Sequence, residues 1–513
     1  MARPRLVERC ALALMVLGML ASLPWLVHPW YDPTNDGGMY LLTARSLLAG
    51  EGYAMLGIPF TIRPPGFSVL IAPLLAWRGT DFGALNTFVS LWGVAGCVAF
   101  YLWARMRLGW PLAWLLALYL WTNPGYQLLC NQPMSDVPGM ALLLACLLFE
   151  RRCARRPSWK RDLALGLFVS VTAYVRTINV LLVPAILGVR LLRRSTGTPE
   201  ERAETWRSLL LRAGALGLGV LLVQLPWSLR NEAVVVEPPA DQTLLYSYST
   251  AFWNEDMGDP SSRRLSLREV LGRMPHRGAQ ALGVLGNRMT ERSGGGTGDE
   301  PMALFFLGSL AIVLVKRRES PELFALGSTF LVSVYFGFAP RLMLPILVVA
   351  LVAAAEVVRD VGRFLAGLRC AGEVAGRAGQ VAASAGVLLL LATDARPRKD
   401  WDRIEAQHKS LTEICRRFAG RLEEDDVLAS HRGWTYAVFL ERPIYSLEFV
   451  VQRHLDQERM QLDTGPLEAL IDEYGIDTVV LSPIRSPDRE IVPYFEHAYG
   501  SDPDALARVY RVR

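Results

Sequence analysis

Long apolar runs, separated by short polar segments, dominate the first 394 residues. A helix that crosses a bilayer needs about 20 apolar residues. The run 163–192 is too long for one such helix, so we divide it at Arg176 into two spans. The other predicted spans lie near residues 10–29, 82–103, 111–129, 137–150, 209–229, 301–315, 321–339, 342–358 and 381–394. The pattern therefore predicts a polytopic α-helical membrane protein with about 11 transmembrane helices.

Basic residues between the runs indicate how these spans are oriented. Arginines cluster after the runs 82–103 and 137–150, and such clusters favour the cytoplasmic side. The N-terminus then lies in the cytoplasm, and residues 30–80 and 230–300 form two external loops. The first run resembles a signal peptide because it follows three arginines. We predict an uncleaved span instead, since the run is long and further spans follow it.

The pattern changes after Asp394, where charged residues become frequent and apolar runs shrink to strand length. Three such runs lie near residues 427, 443 and 476, and a helical pattern begins near 466. Alternation of short strands and helices is typical of an α/β domain. We therefore divide the chain into a membrane domain, 1–394, and a small extracytoplasmic α/β domain, 395–513, to which no motif assigns chemistry.

Composition supports a membrane protein and excludes few other classes. Hydrophobic residues make up 51% of the chain, and the formal net charge is +5. The arginines lie between apolar runs, so topology explains this charge and nucleic-acid binding has no support. The seven cysteines show no metal-ligand or disulfide spacing. The absence of an N-x-S/T acceptor favours a bacterial over a eukaryotic secretory setting.

The stretch from Trp30 to Trp77 is too polar to span a bilayer and contains the first candidate for chemistry. Asp36 opens the sequence D-G-G-M-Y-L-L-T-A-R-S-L-L-A-G, whose apolar spacing predicts an amphipathic helix at the membrane interface. Asn35 or Asp36 would serve as the helix cap in the simplest interpretation. The alternative is that Asp36 faces a cavity and takes part in a reaction, and both roles are compatible.

Arg63 follows in the same stretch and precedes two prolines that stiffen the backbone. An arginine held at the level of the lipid headgroups binds a phosphate oxygen well. It also suits a simple interfacial anchor, and the sequence leaves both interpretations open.

Four further charged residues fall at the predicted outer ends of spans: Asp136, Arg176, Arg230 and Arg341. Asp136 is a candidate because ionisable residues near the bilayer are often functional, although Ser135 or Asp136 would also cap the following helix. The outer arginines run against the positive-inside trend. Together with Arg63 they predict an electropositive pocket for a lipid-linked phosphate.

These motifs, in this order, resemble the GT-C superfamily of membrane glycosyltransferases, particularly the branch of the protein O-mannosyltransferases and the bacterial aminoarabinose transferase that acts on lipid A. The motifs are D-G-G-M-Y, A-R-S-L-L-A-G-E-G-Y, R-P-P-G-F, S-D-V-P, T-A-Y-V-R-T, L-P-W-S-L-R-N and P-R-L-M-L-P. The resemblance implies transfer of one sugar from a polyprenyl-phosphate donor to an acceptor at the outer face of the bacterial cytoplasmic membrane. The acceptor, a glycolipid, polysaccharide or protein, is not specified by any motif.

The resemblance also implies roles for individual residues. The family's catalytic carboxylate matches Asp36, which would act as a general base in an inverting reaction. Family members often carry Asp-Glu at this point, whereas this chain has Asp36-Gly37. No cofactor is required, and a divalent metal is not indicated. The other predicted site residues are Arg63 and Arg341, and secondarily Arg230 and Arg176, for the donor phosphate, Asp32 and Asp136 as supporting acids, and Tyr40 and Arg45 as pocket-lining residues.

Two other functions compete with sugar transfer. A transporter or flippase of lipid-linked saccharides would be expected to show inverted repeats and charges at the bilayer midplane, whereas the charges here gather at one predicted surface. A catalytically inactive relative that serves as an envelope assembly scaffold is the third possibility, and the glycine after Asp36 is the feature that favours it.

Overall fold

The computed structural model describes residues 2–32, 35–55, 57–197, 199, 205–234, 248–255, 262–289, 300–335, 339–367, 373–394, 400–431, 433–447, 455–456, 461–462, 464–485 and 488–512. Most of these residues are helical. The α-helices are α1 (Ala2–Leu26), α2 (Asn35–Leu48), α3 (Gly66–Arg78), α4 (Phe82–Leu108), α5 (Trp110–Thr122), α6 (Pro124–Cys130), α7 (Asp136–Arg155), α8 (Trp159–Val175), α9 (Leu182–Thr196), α10 (Trp206–Ala233), α11 (Tyr248–Trp253), α12 (Leu267–Leu271), α13 (Met274–Gly286), α14 (Glu300–Arg317), α15 (Ser320–Val334), α16 (Leu344–Gly367), α17 (Glu373–Asp394), α18 (Asp400–Ala419), α19 (Gly433–Leu440), α20 (Thr464–Tyr474) and α21 (Asp488–Tyr499). The strands are β1 (Ala54–Met55), β2 (Ile58–Pro59), β3 (Leu428–Ser430), β4 (Ile444–Ser446), β5 (Leu455–Asp456), β6 (Gln461–Leu462), β7 (Thr478–Leu481) and β8 (Arg508–Arg511).

The chain divides into two compact units, and the second contains more of the chain than the predicted C-terminal domain. The first unit combines Met1–His28, Gly83–Ala233 and Ser266–Arg398, and the second combines Pro29–Phe82, Val234–Leu265 and Lys399–Arg513. The predicted external loop 30–80 therefore groups with the C-terminal region. The physical reason is that α2 packs on α19, a helix of the α/β domain.

Five described helices are long and apolar enough to cross a membrane: Leu6–Leu26, Phe82–Leu108, Trp206–Ala233, Pro340–Gly367 and Val374–Asp394. The predicted number of about 11 is not reached by this measure. Most of the remaining predicted spans also form helices, but α8 has only 17 residues and α9 only 15. Both helices carry charged residues near one end, Lys160, Arg161 and Asp162 in α8 and Arg190, Arg193 and Arg194 in α9, which shortens their apolar stretches.

The predicted division of the run 163–192 is confirmed. Helix α8 ends at Val175, and Arg176 is extended, with φ −147° and ψ 108°. A short 3-10 helix, Thr177–Leu181, then leads into α9. The prediction of a polar loop over 230–300 is wrong in one part, since α13 packs against α14 and α15 and buries Ala281, Val284 and Leu285. A short amphipathic run there carries too weak an apolar signal to be recognised as a helix.

Helix α16 lies at the centre of the first unit, where every residue from 343 to 356 is buried. Its Glu356 is paired with Arg317, at 2.6 Å, and with Lys316, at 3.0 Å. Two other buried acids, Asp162 and Glu322, are likewise paired with arginines. Because a buried charge is costly unless it is paired, the arginines that were interpreted as topology signals also neutralise acids at the helix ends.

Two glycines allow α8 and α10 to touch through their backbones. A methyl group added to Gly166 would lie 2.1 Å from the carbonyl oxygen of Leu216, and one added to Gly219 would lie 2.3 Å from that of Leu163. Small residues at helix crossings permit this close approach in membrane proteins. The crossing therefore cannot accept a side chain without separating the helices.

We expect Gly166→Ala to lower the free energy of unfolding by roughly 1–3 kcal/mol, because overpacking forces the backbones apart. The matched control is Gly214→Ala on α10, where an added methyl group would meet nothing within 4 Å. Thermal unfolding in detergent would compare the two variants. Equal midpoints for both would show that the close crossing does not contribute to stability.

The C-terminal region forms the predicted α/β fold. Strands β4, β3 and β7 are parallel neighbours, and β8 pairs antiparallel with β7, so the sheet order is β4-β3-β7-β8. The register places Leu428 opposite Ile444 and Thr478. Three predicted strands and the helix predicted near 466 are confirmed as β3, β4, β7 and α20.

Candidate functional site

The first turn of α2 carries Asp36, whose Oδ1 lies 2.9 Å from Nη2 of Arg63. Both side chains are partly accessible, with 16% of Asp36 and 20% of Arg63 exposed. Arg63 immediately precedes the two prolines that lead into α3. The D-G-G-M-Y and R-P-P-G-F segments, 27 residues apart in the chain, therefore contribute a carboxylate and a guanidinium to one place.

Tyr40 and α3 hold this ion pair in position. The guanidinium of Arg63 lies over the Tyr40 ring, 5.6 Å from its centroid, and the ring edge of Tyr40 packs on Phe67 at 4.9 Å. One turn further along α2, the Thr43 hydroxyl is 2.8 Å from that of Ser68 on α3. Tyr40 is buried, and its ring lies beside the guanidinium of Arg63.

The surroundings of Asp36 favour an ionised carboxylate. The side chain lies in the first turn of a helix, where the backbone dipole stabilises negative charge, and the guanidinium of Arg63 adds a neighbouring positive charge. A general base must be ionised before it can accept a proton. Capping of α2 and a chemical role are therefore compatible. Asp32, the other predicted acid of this stretch, is buried in the segment that precedes α2.

Arg45, which was predicted to line a pocket, instead binds protein groups. Its guanidinium donates hydrogen bonds to the carbonyl oxygens of Ala437 and Val438, to Thr80 and to the carboxylate of Glu441. Burial lowers the pKa of Arg45 below its ordinary value, and the charge of Glu441 partly offsets this.

A second group of predicted residues comes together in the first unit. Asp136 begins α7 and is only 2% exposed. Its Oδ1 lies 2.8 Å from Nη1 of Arg176 and 3.9 Å from Nε of Arg341. Ser135 makes no side-chain capping bond. The carboxylate of Asp136 therefore serves as the counter-charge of two arginines that the sequence analysis assigned to the donor phosphate.

Two residues that position Arg176, Gly139 and Asn179, were not predicted from the sequence. A methyl group added to Gly139 would lie 2.6 Å from Cβ of Arg176, so the arginine stem rests directly on the second turn of α7. Asn179 donates a hydrogen bond of 3.0 Å to the carbonyl oxygen of Gly139. The glycine in S-D-V-P-G is the one sequence signal from which this close approach could have been predicted.

Arg230 makes its described contacts on its own helix. The guanidinium lies over the ring of Trp227, 5.2 Å from the centroid, and donates a hydrogen bond of 2.9 Å to the side chain of Asn231. Among the residues that the structure describes, no three His, Cys, Asp or Glu side chains are grouped so that they could hold a metal ion.

An aromatic cluster surrounds His408 of α18 and includes Trp30, from the segment that precedes α2. The rings of Trp30, Phe82 and Phe439 lie 5.5 to 5.6 Å from the imidazole, and the backbone N–H of Tyr31 donates a hydrogen bond of 3.1 Å to Nδ1. Burial lowers the pKa of His408 below its ordinary value. Because the N–H of Tyr31 donates to Nδ1, this nitrogen carries no proton in the folded protein. The doubly protonated ring cannot accept this hydrogen bond.

We expect stability to fall as the pH drops below about 6.5, the ordinary pKa of histidine. The unfolded chain takes up the proton first because the folded pKa is lowered, so protonation favours unfolding. Above this pH the contribution of His408 is complete. Unfolding midpoints between about pH 7.5 and 5.5 would measure the effect. His408→Gln should flatten the curve, whereas a variant of the exposed His497, His497→Gln, should leave it unchanged.

Comparison with known proteins gives no match to any family model or to any curated protein. The solved structures do include similar chains. ArnT from Cupriavidus metallidurans bound to undecaprenyl phosphate is 15% identical, with a TM-score of 0.58 over 97% of each chain. The same protein in the apo state is 14% identical, with a TM-score of 0.59 over 97% of each chain.

Identities this low establish a shared fold and no more. The likeness nevertheless extends over nearly the whole of both chains, so it includes the membrane helices and the C-terminal region alike. It confirms the resemblance that the order of the sequence motifs predicted. The chain has the fold of ArnT, and five of its described helices are long and apolar enough to cross a membrane.

Proposed function

We propose that this protein is a glycosyltransferase that moves one sugar from a polyprenyl-phosphate donor to an acceptor at the outer face of the bacterial cytoplasmic membrane. The observation that carries the proposal is the Asp36–Arg63 pair, which joins the two motifs of the first loop. The donor class is supported by the fold, since ArnT has been crystallised with undecaprenyl phosphate.

In the proposed reaction an acceptor hydroxyl attacks the anomeric carbon of the sugar from the side opposite the phosphate. The bond between that carbon and the phosphate oxygen breaks, and its electron pair leaves with the polyprenyl phosphate. Asp36 takes the hydroxyl proton as the new carbon–oxygen bond forms. The configuration at the anomeric carbon is thereby inverted.

The leaving phosphate gains negative charge, so positively charged side chains that bind it lower the barrier to its departure. We assign this task first to Arg63 and Arg341, while Arg176 and Arg230 remain secondary candidates. Arg63 has five N–H donors, enough to contact Asp36 and a phosphate oxygen at the same time. Asp136 is occupied by Arg176, so we assign it the role of orienting arginines rather than of a second base.

The proposed orientation places the N-terminus in the cytoplasm and the Asp36 loop outside. It is supported by the distribution of charge on α7, which begins at Asp136 and ends among Arg151, Arg152 and Arg155. The charge distribution on the neighbouring helix α8 is the reverse: its basic residues, Lys160 and Arg161, lie at its start, and its end at Val175 is apolar.

The proposal is tested by incubating the purified protein, in lipid nanodiscs, with a panel of radiolabelled polyprenyl-phosphate sugars and a cell-envelope extract as acceptor. We expect one donor to lose its label to the extract. A transporter or an inactive scaffold would leave the label on the lipid for every donor, and that result would contradict sugar transfer.

A further inference from the structure

Helix α2 makes contacts on two sides within the second unit. One side carries Tyr40 and Thr43 toward α3, as described above, and the other carries Gly38 and Arg45 toward α19 of the α/β domain. Seven residues, about two helical turns, separate Gly38 and Arg45, which places them on the same face. The helix that bears Asp36 is therefore packed against the α/β domain as well as against its own loop.

Arg45 closes the C-terminal end of α19. The last carbonyl groups of a helix have no partner within the helix. Nη2 of Arg45 lies 2.9 Å from the carbonyl oxygen of Val438, and Nη1 lies 3.4 Å from that of Ala437. A positive charge at this end also complements the helix dipole.

Glu441, the residue that follows α19, is a second partner of Arg45. Glu441 has a φ of +55°, the left-handed conformation that usually ends a helix at glycine. Its negative charge is also unfavourable at a helix C-terminus. The sequence thus combines a strained backbone with an unfavourable charge, and Arg45 offsets the charge through an ion pair of 3.1 Å.

A second contact lies near the other end of α19. A methyl group added to Gly38 would be 3.4 Å from both Cβ and the carbonyl oxygen of Trp434. One added to Gly433 would lie 2.9 Å from the carbonyl oxygen of Ile444 on β4. Helix α2 thus packs on α19, which in turn packs on the sheet, with glycines at both close approaches.

We propose that Arg45 is a positioning residue, which fixes α2, and with it Asp36, to the α/β domain. This inference rests on the proposed function for its link to catalysis. Two contacts separated along the helix, at Gly38 and Arg45, set both the rotation and the axial position of α2. The α/β domain thereby contributes to the placement of the catalytic residue Asp36.

The test separates positioning from stability. Arg45→Met is expected to lower both the unfolding midpoint and kcat. Glu441→Gly removes the acid and supplies the residue that the left-handed end of α19 favours, so adding it to Arg45→Met should recover the midpoint. It cannot recover the attachment of α2, so we expect kcat to remain reduced by about 10²-fold, the order of loss that a misplacement of 1 Å produces, with KM little changed.

Arg442→Met is the matched control. Arg442 donates to the backbone carbonyl oxygens of Glu423, Glu424 and Asp426, so its loss should lower the midpoint without a change in kcat. Recovery of kcat as well as stability in the Arg45→Met/Glu441→Gly variant would overturn the positioning role.

Amide hydrogen exchange supplies a readout that does not depend on activity. In the double variant we expect faster exchange in the first turns of α2, and unchanged exchange there would also overturn the inference. If the wild-type protein transfers no sugar from any donor, the proposed function fails, while the exchange result still decides whether Arg45 holds α2 to the α/β domain.

Discussion

Asp36→Asn is expected to reduce the rate of sugar transfer by about 10²–10⁴-fold, the usual contribution of a general base. The amide keeps the size of the side chain but cannot accept the proton of the acceptor hydroxyl. The first-order rate of label transfer under single-turnover conditions would measure the effect, because it excludes product release.

Asp425→Asn is the control for this substitution, since Asp425 is an exposed acid of the same unit. It should leave the rate unchanged. The unfolding midpoint of Asp36→Asn should also fall only modestly, because Arg63 retains the Tyr40 ring as a neighbour. An Asp36→Asn protein with the wild-type rate would remove Asp36 from the mechanism.

Asp136→Leu is expected to destabilise the protein by about 3–5 kcal/mol, the cost of breaking a buried ion pair on one side. The substitution leaves Arg176 without its counter-charge in a position where Gly139 holds its stem. Adding Arg176→Met removes the uncompensated charge, so the double variant should recover most of the loss. Denaturant titrations in detergent micelles would compare the three proteins.

Measuring transfer activity separates the stabilising role of Asp136 from the proposed contact of Arg176 with the donor phosphate. The double variant should be stable but less active if Arg176 contacts the donor phosphate. A double variant that is less stable than Asp136→Leu alone would contradict the assignment of Asp136 as the counter-charge of Arg176.

The positions of the long helices were predictable because an apolar run is a local signal. The run 342–358 corresponds to the most buried span, and the break at Arg176 was placed correctly. The helix predicted to follow Asp36 forms as α2. Helix α13 was missed because its apolar residues form a short stripe within a polar segment.

The partners of the charged residues were not predictable from the sequence. Arg107 pairs with Glu322, 215 residues away, and Arg45 contacts Val438, 393 residues away. No local pattern links such residues, so Arg107 was interpreted as a topology signal and Arg45 as part of a pocket. The pairing of Asp36 with Arg63 was easier to anticipate, because both lie in the same loop and both motifs resemble those of one family.

The central claim is direct displacement of polyprenyl phosphate with Asp36 as the base. The most direct test is the anomeric configuration of the transferred sugar, measured by NMR on the isolated product and compared with that of the donor. The account predicts the opposite configuration in donor and product. A product with the donor's configuration would contradict it, because retention requires a second displacement at the same carbon.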